Sequence, residues 1–177
     1  NKNGAMDHWA KDDKEYREIV YKILTDHKVK RFIKSKTMLS EECGLNPFLI
    51  DKGIDVVESD LGERILQFMD LPPSHIVLPA IHIKRQQVGE VFEEKLGTEK
   101  GNSDPTYLTH EARKSLRDNF LPAKADMTGC NFAVAATGDV VVCTNEGNAD
   151  MGTSCPTLNI AALGLEKIVP NLESLGV

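Results

Sequence analysis

The chain has 177 residues, 41% of them hydrophobic and 27% charged, and its 21 basic and 27 acidic side chains leave a formal net charge of −6. A single domain of this length buries about 70% of the surface its unfolded chain exposes, so a core can form without disulfide or metal staples. The acidic balance offers no footing for nucleic acid, and the longest apolar runs are far too short to cross a bilayer, so neither nucleic-acid binding nor membrane insertion is expected.

In chain order, the first element starts at the capping box Asp12-x-x-Glu15, after which Tyr16, Ile19, Val20, Ile23 and Leu24 repeat at helical spacing. Val29 to Lys34 reads as a short strand. Ser35 or Thr37 then caps a helix whose first turn holds Glu41 and Glu42, which suit the dipole. Asn46-Pro47 opens another helix, Gly53 stops it, and the β-branched run Ile54 to Val57 is a second strand. Leu61 to Met69 is helical and ends before Pro72-Pro73. The apolar run His75 to Leu78 reads as a fully buried third strand.

Val88, Val91, Phe92 and Leu96 keep a helical period over Lys84 to Leu96, residues 97–103 form a loop, and Asp104-Pro105 begins a further helix carrying Leu108, Ala112, Leu116 and Phe120. Phe132 to Ala136, the turn Thr137-Gly138-Asp139, and Val140 to Thr144 predict a β-hairpin. A strand from Leu158 to Leu163 and a helix around Glu166 close the chain. Strands separated by helices imply right-handed βαβ units, and so a three-layer α/β fold with a mostly parallel sheet, helices on both faces and one β-hairpin.

Cys43, Cys130, Cys143 and Cys155 form no C-x-x-C pair and follow no secretory signal, so they read as buried free thiols of a cytoplasmic protein. The chain begins with Asn and stops soon after its last helical pattern. It is therefore expected to be part of a longer one, with residues 1–10 as a leading segment and 11–177 as one domain.

Ligands of an open parallel sheet sit beyond the carboxyl ends of its strands, so the loops leaving the strands are the places to search. The first is Ser35-Lys36-Thr37, where a lysine beside a helix start suits a carboxylate or phosphate; the plainer reading is that Lys28, Lys30, Arg31, Lys34 and Lys36 flank a strand and face water. His82, leaving the third strand, can give or take a proton or can simply sit at the surface, and His75 within the apolar run reads as structural. Thr128-Gly129-Cys130-Asn131 and Thr144-Asn145-Glu146-Gly147-Asn148 bracket the hairpin as the richest polar cluster, with Glu146 its only carboxylate. The same residues also make an ordinary turn, in which Gly147 supplies a positive φ. No spacing of His, Cys or paired carboxylates suggests a metal, neither Cys130 nor Cys143 has an evident base, and no phosphate-cradling glycine motif occurs.

Several ordered blocks add a family resemblance. Lys34-Ser35-Lys36-Thr37-Met38-Leu39-Ser40-Glu41-Glu42, Glu58-Ser59-Asp60-Leu61-Gly62-Glu63 and Pro72-Pro73-Ser74-His75-Ile76-Val77 are followed by Thr128-Gly129-Cys130-Asn131-Phe132-Ala133, the 144–148 block and Glu166-Lys167-Ile168-Val169-Pro170. From about Trp9 to Val177 the chain resembles the LUD domain of the lactate-utilization iron–sulfur proteins, the B-subunit family of the three-part L-lactate oxidation system. The resemblance implies a fold like the NagB/RpiA/CoA-transferase group and participation in oxidising L-lactate to pyruvate, with other subunits of that system as partners. It implies 4Fe-4S clusters downstream in the parent chain and no cofactor within this one, because the cluster-binding cysteine runs are absent here.

Two departures stand out: Ala136-Thr137-Gly138 replaces the family's usual Glu-Thr-Gly, and Ser154-Cys155-Pro156-Thr157 is atypical. Glu146 sits in a block similar to the Glu-containing loop of CoA transferases, which makes it the candidate catalytic residue by analogy between folds. The expected ligand-binding residues are Ser35, Lys36 and Thr37, then His82, then Thr128, Gly129 and Asn131, and finally Asn145, Gly147 and Asn148, around a small carboxylate or other anion. Two alternatives stay open: an enzyme of CoA-transferase or sugar-phosphate-isomerase type using Glu146, and a non-catalytic interaction domain.

Overall fold

In the computed structural model, which describes residues 4–176, the Asp12 carboxylate accepts a hydrogen bond from the Glu15 N–H at 2.8 Å and starts α1 (Asp13–Asp26), as the capping box predicts. Residues 1–3 of the expected leading segment, and Val177 at the expected domain end, lie outside the described residues. β1 (Arg31–Lys34) follows, with Phe32, Ile33 and Lys34 all buried, as a strand covered on both faces requires. The next stretch folds as α2 (Met38–Glu42) and α3 (Leu45–Asp51), joined at Gly44, whose φ of 62° a side chain would oppose.

β2 (Asp55–Glu58), α4 (Leu61–Met69), α5 (Arg85–Leu96) and α6 (Pro105–Phe120) come close to their predicted bounds. Asp104 caps α6 by accepting from the Tyr107 N–H at 2.9 Å, and Pro105 occupies the first turn, where a missing N–H costs nothing. The chain then forms β3 (Ala125–Gly129), the hairpin β4 (Phe132–Val134) and β5 (Asp139–Val141), and α7 (Asn148–Ser154). β6 (Leu158–Ala162), a 3-10 turn at Leu165–Lys167, β7 (Ile168–Val169) and a second 3-10 turn at Leu172–Gly176 complete it. Among the described residues no helix is long and apolar enough to cross a membrane.

The fold is α/β. A four-stranded sheet in the order β2-β1-β3-β6 is parallel throughout, and a three-stranded sheet in the order β5-β4-β7 pairs β4 antiparallel with β5 and parallel with β7. Strand alternation sends Phe32, Val56 and Met127 to one face, where Val20 and Leu24 of α1 and Leu45 and Leu49 of α3 cover them. Ile33 and Val57 point to the other face and meet Phe120 and Leu116 of α6. α4, α5 and α6 share a separate cluster built on Ile65, Phe92, Leu108 and Ala112. Each fully buried Val, Leu, Ile, Phe or Met among them contributes about 1.5–3 kcal/mol over exposure, and the two-sided cover holds the sheet.

Several sequence expectations are overturned, and two elements appear that the pattern does not predict. Residues 75–78 are not a strand: Ile76, Val77 and Leu78 are 65%, 70% and 54% exposed. Prolines bracket this run, and it closes on itself instead, with the Val77 and Leu78 N–H groups donating to His75 Nδ1 at 3.1 Å and the Ser74 N–H to the Pro79 carbonyl at 3.1 Å. The third strand in sequence is β3, which the pattern missed because Asp126 breaks its apolar run. α7 was also missed, being only seven residues long and rich in residues of low helix propensity. Neither Ser35 nor Thr37 caps α2 through its side chain; the Ser35 hydroxyl donates to Thr128 Oγ1 at 3.0 Å. Finally, the thiols are not all buried: Cys130 is, whereas Cys143, which lies beyond β5, and Cys155 are exposed.

Lys34 departs furthest from the reading of lysines facing water. Its side chain is 0% exposed, and its Nζ lies 2.8 Å from Glu58 Oε1, on a side chain 6% exposed. The register pairs Lys34 with Glu58 across β1 and β2, and Asn46 Nδ2 donates to the same carboxylate oxygen. Removing one charge of such a pair strands the other in a medium that cannot solvate it. Lys34→Met should therefore lower unfolding stability by about 3–5 kcal/mol in urea denaturation, whereas Lys34→Met/Glu58→Leu should recover most of that loss.

Candidate functional site

β1, β2 and β3 run parallel and end on the same side of the sheet, so the loops leaving them converge. Between them and the small sheet opens a cleft of about 280 Å³. The Ser35 N–H donates to the Met127 carbonyl at 2.9 Å, carrying the β1–β3 ladder one step past the strand. Thr128, which receives the Ser35 hydroxyl, donates onward to the Gly129 carbonyl at 3.2 Å. A Cβ on Gly129 would stand 3.0 Å from the Lys36 carbonyl and from Thr37 Cβ, so these loops touch closely enough that even a methyl group would push them apart by a few tenths of an ångström.

Asp60 knots the cleft together. Its Oδ2 accepts from the Lys36 N–H at 2.7 Å and from Asn148 Nδ2 at 2.8 Å, and the same amide donates to Ser59 Oγ at 3.0 Å. One carboxylate thereby joins the ends of β1 and β2 to α7. Lys36 Nζ lies 3.2 Å from Glu63 Oε1 as an ion pair without an aligned hydrogen bond, and donates to the Val77 carbonyl at 3.3 Å. Burial, reinforced by the charge of Asp60 and opposed by Lys36, raises the Glu63 carboxyl above its usual range. Asn131 Oδ1 accepts from the Cys143 N–H at 2.8 Å and fixes the hairpin side of the cleft. Burial pushes the Cys130 thiol up to about 11, so it is no thiolate at neutral pH.

Ser35, Lys36 and Thr37 all line this cleft. Thr128 and Gly129 join them from β3, Asn131 from the step between β3 and β4, Asn145 from the loop after β5, and Asn148 from the first residue of α7. Glu146 and Gly147 face a wider groove on the other side of Asn148, and Glu146 Oε2 accepts from the Leu61 N–H at 3.2 Å, at the start of α4. Gly147 has the expected positive φ, at 78°. His82 belongs to neither: it is exposed in the 71–84 loop, with Nδ1 2.6 Å from Ser74 Oγ. The sequence reading missed Asp60 and Lys167, both of which line the cleft. Asp60 was findable, since it stands two residues past β2 in a loop leaving a strand; Lys167 carried no local signal.

Lys36 and Lys167 line the cleft with hydroxyl and amide groups beside one carboxylate that already accepts two hydrogen bonds, and the Lys36 ammonium is engaged by Glu63 and the Val77 carbonyl. Among the described residues no histidine lines it, and no three His, Cys, Asp or Glu side chains come together as metal ligands. Such a cleft is suited to holding a small polar anion.

A family model described as LUD domain matches residues 1–177. Proteins named Lactate utilization protein B from Bacillus thuringiensis (strain Al Hakam), Bacillus cereus (strain B4264) and Bacillus anthracis (strain A0248) are each 45% identical over 177 residues, covering 100% of this chain and 37% of theirs. The chain thus spans 37% of the length of these relatives. No solved structure matches it.

Beneath the cleft, Asp126 of β3 is fully buried and neither carboxylate oxygen has a side-chain or backbone partner at hydrogen-bond geometry. It lies directly under Gly152 of α7, where a Cβ would collide with its carboxylate. Burial pushes its carboxyl up to about 7 from an ordinary 3.8. Between those two values the folded state binds the proton that the unfolded chain has released, so stability falls as pH rises, by about 1.4 kcal/mol per unit for this group. Asp126→Asn should remove that component: its urea midpoint at pH 8 should exceed the wild type's, with the difference shrinking toward pH 4. A wild-type midpoint that climbs from pH 5 to pH 8 in parallel with the variant's would contradict this.

Proposed function

Because the chain belongs to the LUD domain family, we propose that it is the substrate-side domain of an iron–sulfur electron-transfer protein taking part in the oxidation of L-lactate to pyruvate. The observation that carries this reading is the polar cleft at the strand ends, in a chain 45% identical to proteins named Lactate utilization protein B. A 2-hydroxy acid offers a carboxylate and a neighbouring hydroxyl. Lys167 supplies positive charge for the first, joined by Lys36 when its ammonium exchanges Glu63 for the ligand, and the hydroxyls and amides of Thr128, Asn131 and Asn145 supply partners for the second.

In this reading the domain binds and orients the small acid. The 4Fe-4S clusters belong to the remainder of a longer protein, because this chain's own cysteines do not fit them: Cys43, Cys130, Cys143 and Cys155 stand apart in sequence and form no ligand group among the described residues. The partners are the other subunits of a lactate oxidation system, and the compartment is the cytoplasm. The rival reading, with Glu146 attacking an acyl or sugar-phosphate substrate in this cleft, gains nothing from the geometry, since that carboxylate is turned toward Leu61 and lies outside it.

The test is a thermal-shift titration with L-lactate, pyruvate, coenzyme A and a sugar phosphate. A ligand at about 100 times its Kd adds about 2.7 kcal/mol, a rise of several degrees in a domain of this size. We expect L-lactate or pyruvate to raise Tm, Lys36→Ala and Thr128→Val to abolish the rise, and Glu146→Gln to keep it. A rise only with coenzyme A or the sugar phosphate, lost in Glu146→Gln, would replace this reading with the rival.

A further inference from the structure

On the far side of Asn148 from the polar cleft lies a groove of about 710 Å³. Its floor is apolar: Ala112, Leu116 and Phe120 from one face of α6, Leu61 from the start of α4, and Met151 from α7. Arg113 and Arg117 line the same groove one helical turn apart, both exposed. Among the described residues neither forms an ion pair, although the chain carries more acidic than basic side chains. The one carboxylate in the groove, Glu146, is held by the Leu61 N–H at the amino end of α4, where the helix dipole offsets its charge. The groove therefore pairs an apolar floor with two guanidinium groups that form no ion pair among the described residues.

We propose that this groove binds an amphiphilic anion, an alkyl or acyl chain ending in a single carboxylate, with the chain on the α6–α7 floor and the carboxylate between Arg113 and Arg117. Guanidinium groups at a spacing of four residues face the same way along a helix and can each give a carboxylate two parallel N–H donors. A small molecule is the occupant that fits the dimensions. The volume lies within the roughly 300–1,000 Å³ of small-ligand pockets, whereas a docked protein needs an interface of about 800 Å² on each side, which this groove alone does not offer. The site is independent of the polar cleft. Asn148, bonded to Ser59 on the groove side and to Asp60 on the cleft side, forms the wall between them.

The experiment is calorimetric titration of the protein with decanoate and with decanol, which share the chain and differ in the charge. We expect saturable decanoate binding at least about tenfold tighter than decanol. Arg113→Gln/Arg117→Gln should erase that preference while leaving decanol affinity and the urea midpoint at wild-type values, and Met151→Trp, which fills the groove, should weaken both ligands. Lys36→Ala, in the polar cleft, should change neither affinity. Absence of saturable binding, equal affinity for the two probes, a preference that survives in the double arginine variant or vanishes in Lys36→Ala, or capture of an acidic amphipathic peptide in place of decanoate would each overturn the proposal.

Discussion

The ion pair between Lys34 and Glu58 is the constraint around which the strand ends are arranged. Both groups are withdrawn from water at the last residues of β1 and β2, and a charge so placed is tolerated only with its counterpart in hydrogen-bond contact. The pair ties the two strands in register at their carboxyl ends. Ser35 and Ser59 therefore leave the sheet at the same level, and the Ser59 N–H donates back to the Lys34 carbonyl at 2.9 Å. The next residues on each side, Lys36 and Asp60, meet directly. The cleft follows from that alignment.

α7 is the element on which both cavities turn. It is held from above by Asn148, whose amide bridges Ser59 and Asp60, and from below by the contact of Gly152 with Asp126. The upper attachment is made of well-partnered hydrogen bonds, while the lower one rests on a buried carboxyl without partners, which favours its protonated form. A helix of seven residues has little stability of its own. Its position is set by these two attachments, and with it the boundary between the polar cleft and the arginine-lined groove.

Much of this was legible from residues with strong local signals. Asp12-x-x-Glu15, Asp104-Pro105, the helical spacing of α5 and α6 and the Thr137-Gly138 hairpin turn all formed where local chemistry placed them. What was not legible depended on partners distant in sequence. Asp126 looks like a strand breaker until β1 and β6 bury it from either side, and Lys34 looks solvated until Glu58 comes alongside. The apolar run 75–78 failed in the opposite sense, because the place beside β1 was taken by β3 and the flanking prolines suited a closed turn. In the site, searching the loops after strands brought together Ser35, Lys36, Thr128 and Asn131. Asp60 stands in the equivalent loop after β2, so the same rule points to it.

The central claim is that the converging strand-end loops form one site for a small carboxylate. Backbone amide chemical shifts of the isotopically labelled protein, followed through a titration with L-lactate, test it most directly. The account predicts that the amides of Lys36, Gly129 and Asn131 move together along one saturating curve, while that of His82 stays fixed. Shifts confined to residues outside the cleft, or no saturating change at any of the three amides, would contradict it.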